Sequence, residues 1–222
     1  MNECAFTCQD EELVLLGEKA LWWKCQSCVF VADVHLGKPS SFRASGVPVP
    51  EGTDATDLRR LSAVLEHTKA RELCILGDLI HNLNSLTKSV VEAFAQWRRE
   101  HSEVRLSLTI GNHDRYAPKL METLRLDECE DRLLREPFVF QHEPEASPDG
   151  YVIAGHVHPG VHVSDKRARS LKLACCLIEQ SVMTLPAFGT FTGTQRVRAA
   201  EGDRVVAFAE GDLIEVPWKL CS

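Results

Sequence analysis

The sequence predicts an α/β fold in which two mixed β-sheets pack together and helices flank them. Two observations predict it. Continuous apolar runs at 29–33 and 73–77, separated by a helical pattern, read as parallel strands buried on both faces. From about residue 125 onward the pattern changes to strands alone, which calls for a second, mostly antiparallel sheet.

Taken in order, residues 13–16 and 20–24 read as short strands joined at Gly17-Glu18, and 29–33 as the central strand. A polar connection over 37–52 follows, and its Pro39, Gly46, Pro48 and Pro50 argue against regular helix. A loop that long between two regular elements is often functional. Thr53 or Asp54 can cap a helix reaching about Lys69, with Leu58, Leu61, Val64 and Leu65 as its apolar stripe. Residues 73–77 form the second strand. A helix over 85–101 places Leu86, Val90, Phe94 and Trp97 on one face. The third strand covers 104–110 and a short helix 118–124. Strands follow at 133–141, 151–154, 160–164, 171–180, 182–185 and 205–215.

At 222 residues the chain suits a single domain, 1–222, with a sizeable core. The net charge of −7 gives no global attraction for nucleic acid, so a polyanion would need a local basic patch or bound cations. No window has the apolar length of a membrane span, and Met-Asn-Glu-Cys lacks the basic and apolar regions of a signal peptide. The expectation is a cytoplasmic protein with no membrane partner. The nine cysteines then read as mostly free thiols. Cys74, Cys175 and Cys176 look like small core residues. Cys25-Gln26-Ser27-Cys28 reads as a hairpin turn, and Cys4 and Cys8 as lying at a frayed terminus, ahead of a four-thiolate zinc site.

The chemistry collects at strand ends. Asp33 and His35, two apart, share one face where the central strand stops. Gly37 then turns the backbone away. Asp78, His81, Asn112, His113, His142, His156 and His158 follow other strands, so six of the nine histidines occupy such junctions. Imidazole, carboxylate and amide oxygen together suit manganese, iron or zinc. Two Asp and four His are too many ligands for one ion with an open position, and suit two divalent ions bridged by a carboxylate.

Asp33-Val34-His35, Gly77-Asp78-Leu79-Ile80-His81, Gly111-Asn112-His113-Asp114, His142 and Gly155-His156-Val157-His158 resemble, in order, the five motifs of the calcineurin-like metallophosphoesterases. The resemblance implies a four-layer fold of two sheets flanked by helices. It implies that Asp33, His35 and His158 hold one metal, that Asn112, His142 and His156 hold the other, and that Asp78 bridges. It gives His113 the phosphate and leaving group. Two cations would lower the pKa of a bridging water, whose hydroxide attacks in line while His113 protonates the leaving oxygen. No Gly-x-Ser-x-Gly occurs and no nucleophilic Ser or Cys is needed. His81 stands where the superfamily's Ser/Thr phosphatases carry aspartate and so resembles its nucleases; it either supports its neighbours or acts on substrate.

Longer stretches resemble one subgroup, the bacterial ligase-associated DNA damage response endonucleases (the PdeM-like group). They are Ala32 to Lys38 with Phe42-Arg43, Gly46-Val47-Pro48-Val49-Pro50-Glu51-Gly52, His142-Glu143-Pro144, Gly155 to Pro159, and Leu185-Pro186-Ala187-Phe188-Gly189-Thr190-Phe191-Thr192-Gly193. This implies a manganese-dependent DNA endonuclease or phosphodiesterase in DNA repair, working beside a DNA ligase, a DEXH-box helicase and a second nuclease. Lys38 and Arg43 are candidate substrate contacts; Arg115, Lys166, Arg167, Arg169, Arg196 and Arg198 can also reach phosphates. No aromatic platform for single strands is evident, since Trp22 and Trp23 read as sheet residues and Trp97 as helix core. The alternatives are a phosphodiesterase or phosphatase of a small nucleotide or other metabolite, and a scaffold of little activity. The complete ligand set argues against the scaffold.

Overall fold

The computed structural model describes residues 1–49, 52–164 and 170–221. Its first sheet lays seven strands side by side in sequence order: β1 (Glu3–Cys8), β2 (Glu11–Leu16), β3 (Ala20–Trp23), β4 (Cys28–Val31), β5 (Glu72–Leu76), β6 (Arg105–Thr109) and β7 (Glu128–Glu130). The first four are joined antiparallel by hairpins, and β4 to β7 run parallel. The helices α1 (Lys38–Ala44), α2 (Thr53–Thr68), α3 (Lys88–Glu100) and α4 (Ala117–Leu124) lie in the connections between the parallel strands.

The apolar runs arise because this sheet is covered on both sides. Val14, Val29, Val31, Leu73 and Ile75 pack with Leu61, Phe94 and Trp97 of the helices. Their alternates Leu13, Leu15, Phe30, Cys74 and Leu76 pack against the second sheet. That sheet contains β8 (Arg132–Arg135), β9 (Phe138–Gln141), β10 (Tyr151–Ala154), β11 (Pro159–Ser164), β12 (Ser170–Ile178), β13 (Val182–Thr184), β14 (Gln195–Arg196), β15 (Arg204–Ala209) and β16 (Asp212–Val216). Its order is β14-β11-β12-β13-β10-β9-β8, with β15 on β12 and β16 on β15. It too is mixed, because β10 runs parallel to β9 and β13. Between the sheets Phe30 stacks on Phe140 at 4.1 Å, and Trp23 meets Phe138 edge-on at 5.0 Å. Offset and edge contacts of this kind add to the area that large rings bury. The α/β architecture of two packed mixed sheets with flanking helices is the one expected. No helix among the described residues is long and apolar enough to cross a membrane.

Several elements differ from expectation. Residues 38–44 form helix α1 although a loop was expected. Pro39 sits in the first turn, where no intrahelical partner exists for its missing N–H, so it favours the helix start. Neither Thr53 nor Asp54 caps α2. Gly52 takes the N-cap, and the Asp54 carboxylate accepts from the Gly37 N–H at 2.8 Å instead. The helix expected from 85 begins at Lys88 behind Thr87, after a 3-10 turn over Leu83–Ser85. Cys4 and Cys8 are not frayed. They lie on β1, whose inward residues pack on the inter-sheet core. Pro137 divides 133–141 into two strands, and Glu210-Gly211, both left-handed, turn 205–215 into the β15–β16 hairpin. All nine cysteines are free, Cys74, Cys175 and Cys176 are buried, and residues 24–26 make the tight connection between β3 and β4.

A charged contact joins strands of the two sheets. Arg135 on β8 donates to both carboxylate oxygens of Glu72 on β5, at 2.6 and 2.8 Å, and Ser107 donates at 2.6 Å. Burial pushes the Glu72 pKa up, but these charge-assisted bonds outweigh it and hold the group below its usual range. A depressed folded pKa gives stability that is present above the unfolded pKa and is lost as pH falls through the folded value. Glu72→Gln should therefore cost about 2 kcal/mol at pH 7. In urea unfolding the deficit should narrow at pH 3; an equal deficit at both pH values would remove the charge from the explanation.

Candidate metal centre

The strands of both sheets stop at one place. Asp33 follows β4, Asp78 follows β5, Asn112 and His113 follow β6, His142 follows β9, and His156 and His158 follow β10. Asp33, His35, Asp78, His156 and His158 all have positive φ, between 50° and 69°. This is a costly conformation for a non-glycine residue, and its concentration here marks a functional site. It turns each side chain off the strand direction and into a common centre.

Packing leaves no room for side chains behind the ligands. Gly77, itself left-handed, lies so close to His142 that a Cβ would fall on the imidazole. A Cβ on Gly111 would overlap the Asp78 carboxylate.

Two groups of donors face each other across Asp78. In the first, His35 Nε2 lies 3.2 Å from His158 Nε2, and His158 Nε2 lies 3.5 Å from Asp33 Oδ1. In the second, His142 Nε2 lies 3.0 Å from His156 Nδ1, 3.1 Å from Asn112 Oδ1 and 3.6 Å from Asp78 Oδ1. The other Asp78 oxygen is 3.9 Å from His35 Nε2, so this carboxylate reaches toward both groups. His142 Nδ1 donates to the Leu76 carbonyl at 3.1 Å, which leaves its Nε2 lone pair for the centre.

The donor set fits divalent cations. Asp33 Oδ1 and His35 Nδ1 are buried without a hydrogen-bond partner, although buried polar atoms nearly always have one. Burial presses the His35 imidazole down to about 2, so it is a neutral donor, and burial raises Asp78. Asp33, His35 and His158 form one group able to hold an ion, and Asp78, His142 and His156 another. A third, His35, His81 and His113, holds no carboxylate, and His113 Nδ1 already donates to the His81 carbonyl. The first two groups suit a divalent ion better.

His113 presents Nε2 to the centre, 3.8 Å from Asp78 Oδ2. The His81 ring stacks on His113 with centroids 5.3 Å apart, and its own pKa is lowered by burial, then by Lys38 and His113. Lys38, half-buried on the first turn of α1, is pushed down by burial against the opposing pull of the Asp33 and Asp78 carboxylates. Arg43 donates to Ser40 at 3.0 Å and to the Val49 carbonyl. Arg115, Arg196 and Arg198 are exposed. Lys166, Arg167, Arg169, Pro50 and Glu51 lie outside the described residues. A cavity of about 410 Å³ opens beside the second group, lined by Asn112, Arg115, Gln141 and His142 among others.

Asp114 is the residue that sequence reasoning passed over. Fully buried, its carboxylate accepts from the backbone N–H groups of Leu79, Ile80 and Gly111 at 3.1 to 3.3 Å. Burial raises it to about 6 despite these bonds. It ties the loop that follows Asp78 to the loop that carries Asn112 and His113. Its place directly after the Asn-His pair was the available signal.

No protein-family model matches the chain, and no curated protein matches it. Among solved structures, the Pseudomonas putida nuclease MPE is 31% identical, with 97% of this chain and 100% of that chain covered at a TM-score of 0.82. An Aquifex aeolicus protein of unknown function, AQ665, is 20% identical over 59% of this chain and 78% of its own (TM-score 0.43). The E. coli phosphoesterase YfcE is 15% identical over 85% of this chain and 97% of its own (TM-score 0.46). The chain belongs to the calcineurin-like metallophosphoesterases.

Asp78→Ala should lower bound manganese by at least one ion per protomer in metal analysis after dialysis. Full occupancy in that variant would remove Asp78 from the ligand set.

Proposed function

We propose that this metallophosphoesterase hydrolyses phosphodiesters, with DNA as its substrate, using two divalent ions of which manganese is the best activator. The carrying observation is the pair of donor groups that meet across Asp78. The whole-length likeness to a nuclease supports the choice of substrate. Asp33, His35 and His158 would hold one ion and Asn112, His142 and His156 the other, with Asp78 shared. Such ions, when bound, supply an activated water and neutralise phosphate charge.

The chain's own groups do the rest. Lys38 carries positive charge to the phosphate beside the two carboxylates. His113, with Nδ1–H given to the His81 carbonyl, keeps Nε2–H for the leaving oxygen and becomes neutral as it donates. His81 is a positioning residue: its carbonyl and its stacked ring hold the His113 imidazole in one orientation. Work in DNA repair beside a ligase and a helicase is the setting that the subgroup resemblance suggests for this activity. The net charge of −7 makes DNA binding weak and salt-sensitive, with the cations providing much of the attraction.

Two outcomes test this reading. His113→Ala should retain its metal and lose turnover by on the order of a hundredfold, with a smaller loss on nitrophenyl esters, whose leaving groups need little protonation. Equal losses for good and poor leaving groups would sink that role. Manganese-dependent turnover at low salt should rank DNA and bis-nitrophenyl phosphate above nitrophenyl phosphate. If the monoester is the best substrate, the enzyme is a small-phosphoester hydrolase instead.

A further inference from the structure

We propose that Phe42 and Phe191 form a stacking platform for one unpaired base of a single-stranded polynucleotide, beside the phosphate at the metal centre. The inference rests on the nuclease reading above. Phe42 lies on α1 and Phe191 in the loop after β13. Their rings meet edge to face at 5.2 Å and 83°. Both are half-buried, and neither belongs to an apolar core among the described residues. An edge-to-face pair outside the core forms a corner, in which a flat base stacks on one ring and meets the edge of the other.

The corner is continuous with the centre. His113 stacks with His81 at 5.3 Å, and His81 lies 6.3 Å from Phe42. A path of rings therefore leads from the leaving-group side outward to Phe191. Lys38 and Phe42 are four residues apart on α1 and so share a helix face, which sets a cation for phosphate next to a ring for a base.

The platform is also held rigid. Asp57, buried on α2, accepts from the Thr190 N–H with both oxygens at 3.0 Å and from the Thr190 hydroxyl. Arg60 donates to the Phe188 carbonyl at 2.7 Å and to Asp57 at 3.0 Å. Gly189 N–H donates to the Asp33 carbonyl at 3.2 Å, which ties the loop to a residue of the centre. A ring on a fixed loop needs no ordering when a base arrives. Bases in a duplex are already paired and stacked on each other, so the corner selects single strands.

The test compares a single-stranded oligodeoxynucleotide with the same strand carrying abasic residues around the cleaved bond, in manganese. Wild-type kcat/KM should be about tenfold higher on the intact strand, the scale of one base on one aromatic ring. Phe191→Leu keeps apolar bulk and removes the flat face. It should bring the intact strand down to the abasic rate, while the variant and the wild type cleave the abasic strand alike, and Phe191→Trp should restore the difference. Equal losses on both strands in Phe191→Leu would make the ring a packing residue and overturn the platform. Equal wild-type rates on the two strands would overturn it as well, leaving the nuclease reading intact. If the wild type cleaves bis-nitrophenyl phosphate but neither strand, the nuclease reading falls and the platform with it.

Discussion

Asp33 is where the two halves of the molecule are fastened. Its N–H donates to the Gly77 carbonyl, its carbonyl accepts from Gly189, and one carboxylate oxygen accepts from the His156 N–H at 2.9 Å. The Ala32–Ala187 bridge lies one residue earlier. The other carboxylate oxygen has no partner and points into the donor group. One buried residue thus joins the parallel strands of the first sheet to two loops of the second while contributing to the centre. Docking of the sheets and assembly of the site therefore depend on the same residue.

This arrangement explains where backbone strain is kept. Left-handed residues at Asp33, His35, Asp78, His156 and His158 cost the fold stability one at a time. Each is held by hydrogen bonds from a neighbouring segment: His35 N–H to the Asp78 carbonyl, His113 N–H to the Asp78 carboxylate, His156 N–H to Asp33, and Gln195 N–H to the His158 carbonyl. The sheets on either side are apolar and close-packed, so these bonds have fixed ends. A rigid frame of this kind keeps two carboxylates and several imidazoles close together where solvent would otherwise separate them.

The parts legible in the sequence were those written in local pattern. Double-sided burial makes β4, β5 and β10 continuous apolar runs, and a polar residue ending such a run stands out, so Asp33, Asp78 and His156 could be named without coordinates. The parts that were not legible depend on partners distant in sequence. Asp114 is an ordinary acid until Leu79 and Ile80 give it their N–H groups. Phe42 and Phe191 form a pair only because α1 and the loop after β13 meet beside the centre. Helix α1 was hidden by Pro39 and by the glycines and prolines that flank it, which read as loop until Pro39 is seen to occupy the first turn. Strand β1 was hidden because its exposed and half-buried residues alternate without a strong apolar run.

The strand order of the first sheet bears on how the protein is made. Because β1 to β7 are neighbours in both sequence and space, each strand leaving the ribosome finds its partner already there. At the end of β7 the nascent chain holds Asp33, His35, Asp78 and Asn112, but His142, His156 and His158 are still untranslated. The donor atoms are thus divided between an early half and a late half of synthesis. An unfinished chain cannot close either donor group: the second waits for His156 and the first for His158, both of which lie beyond β10.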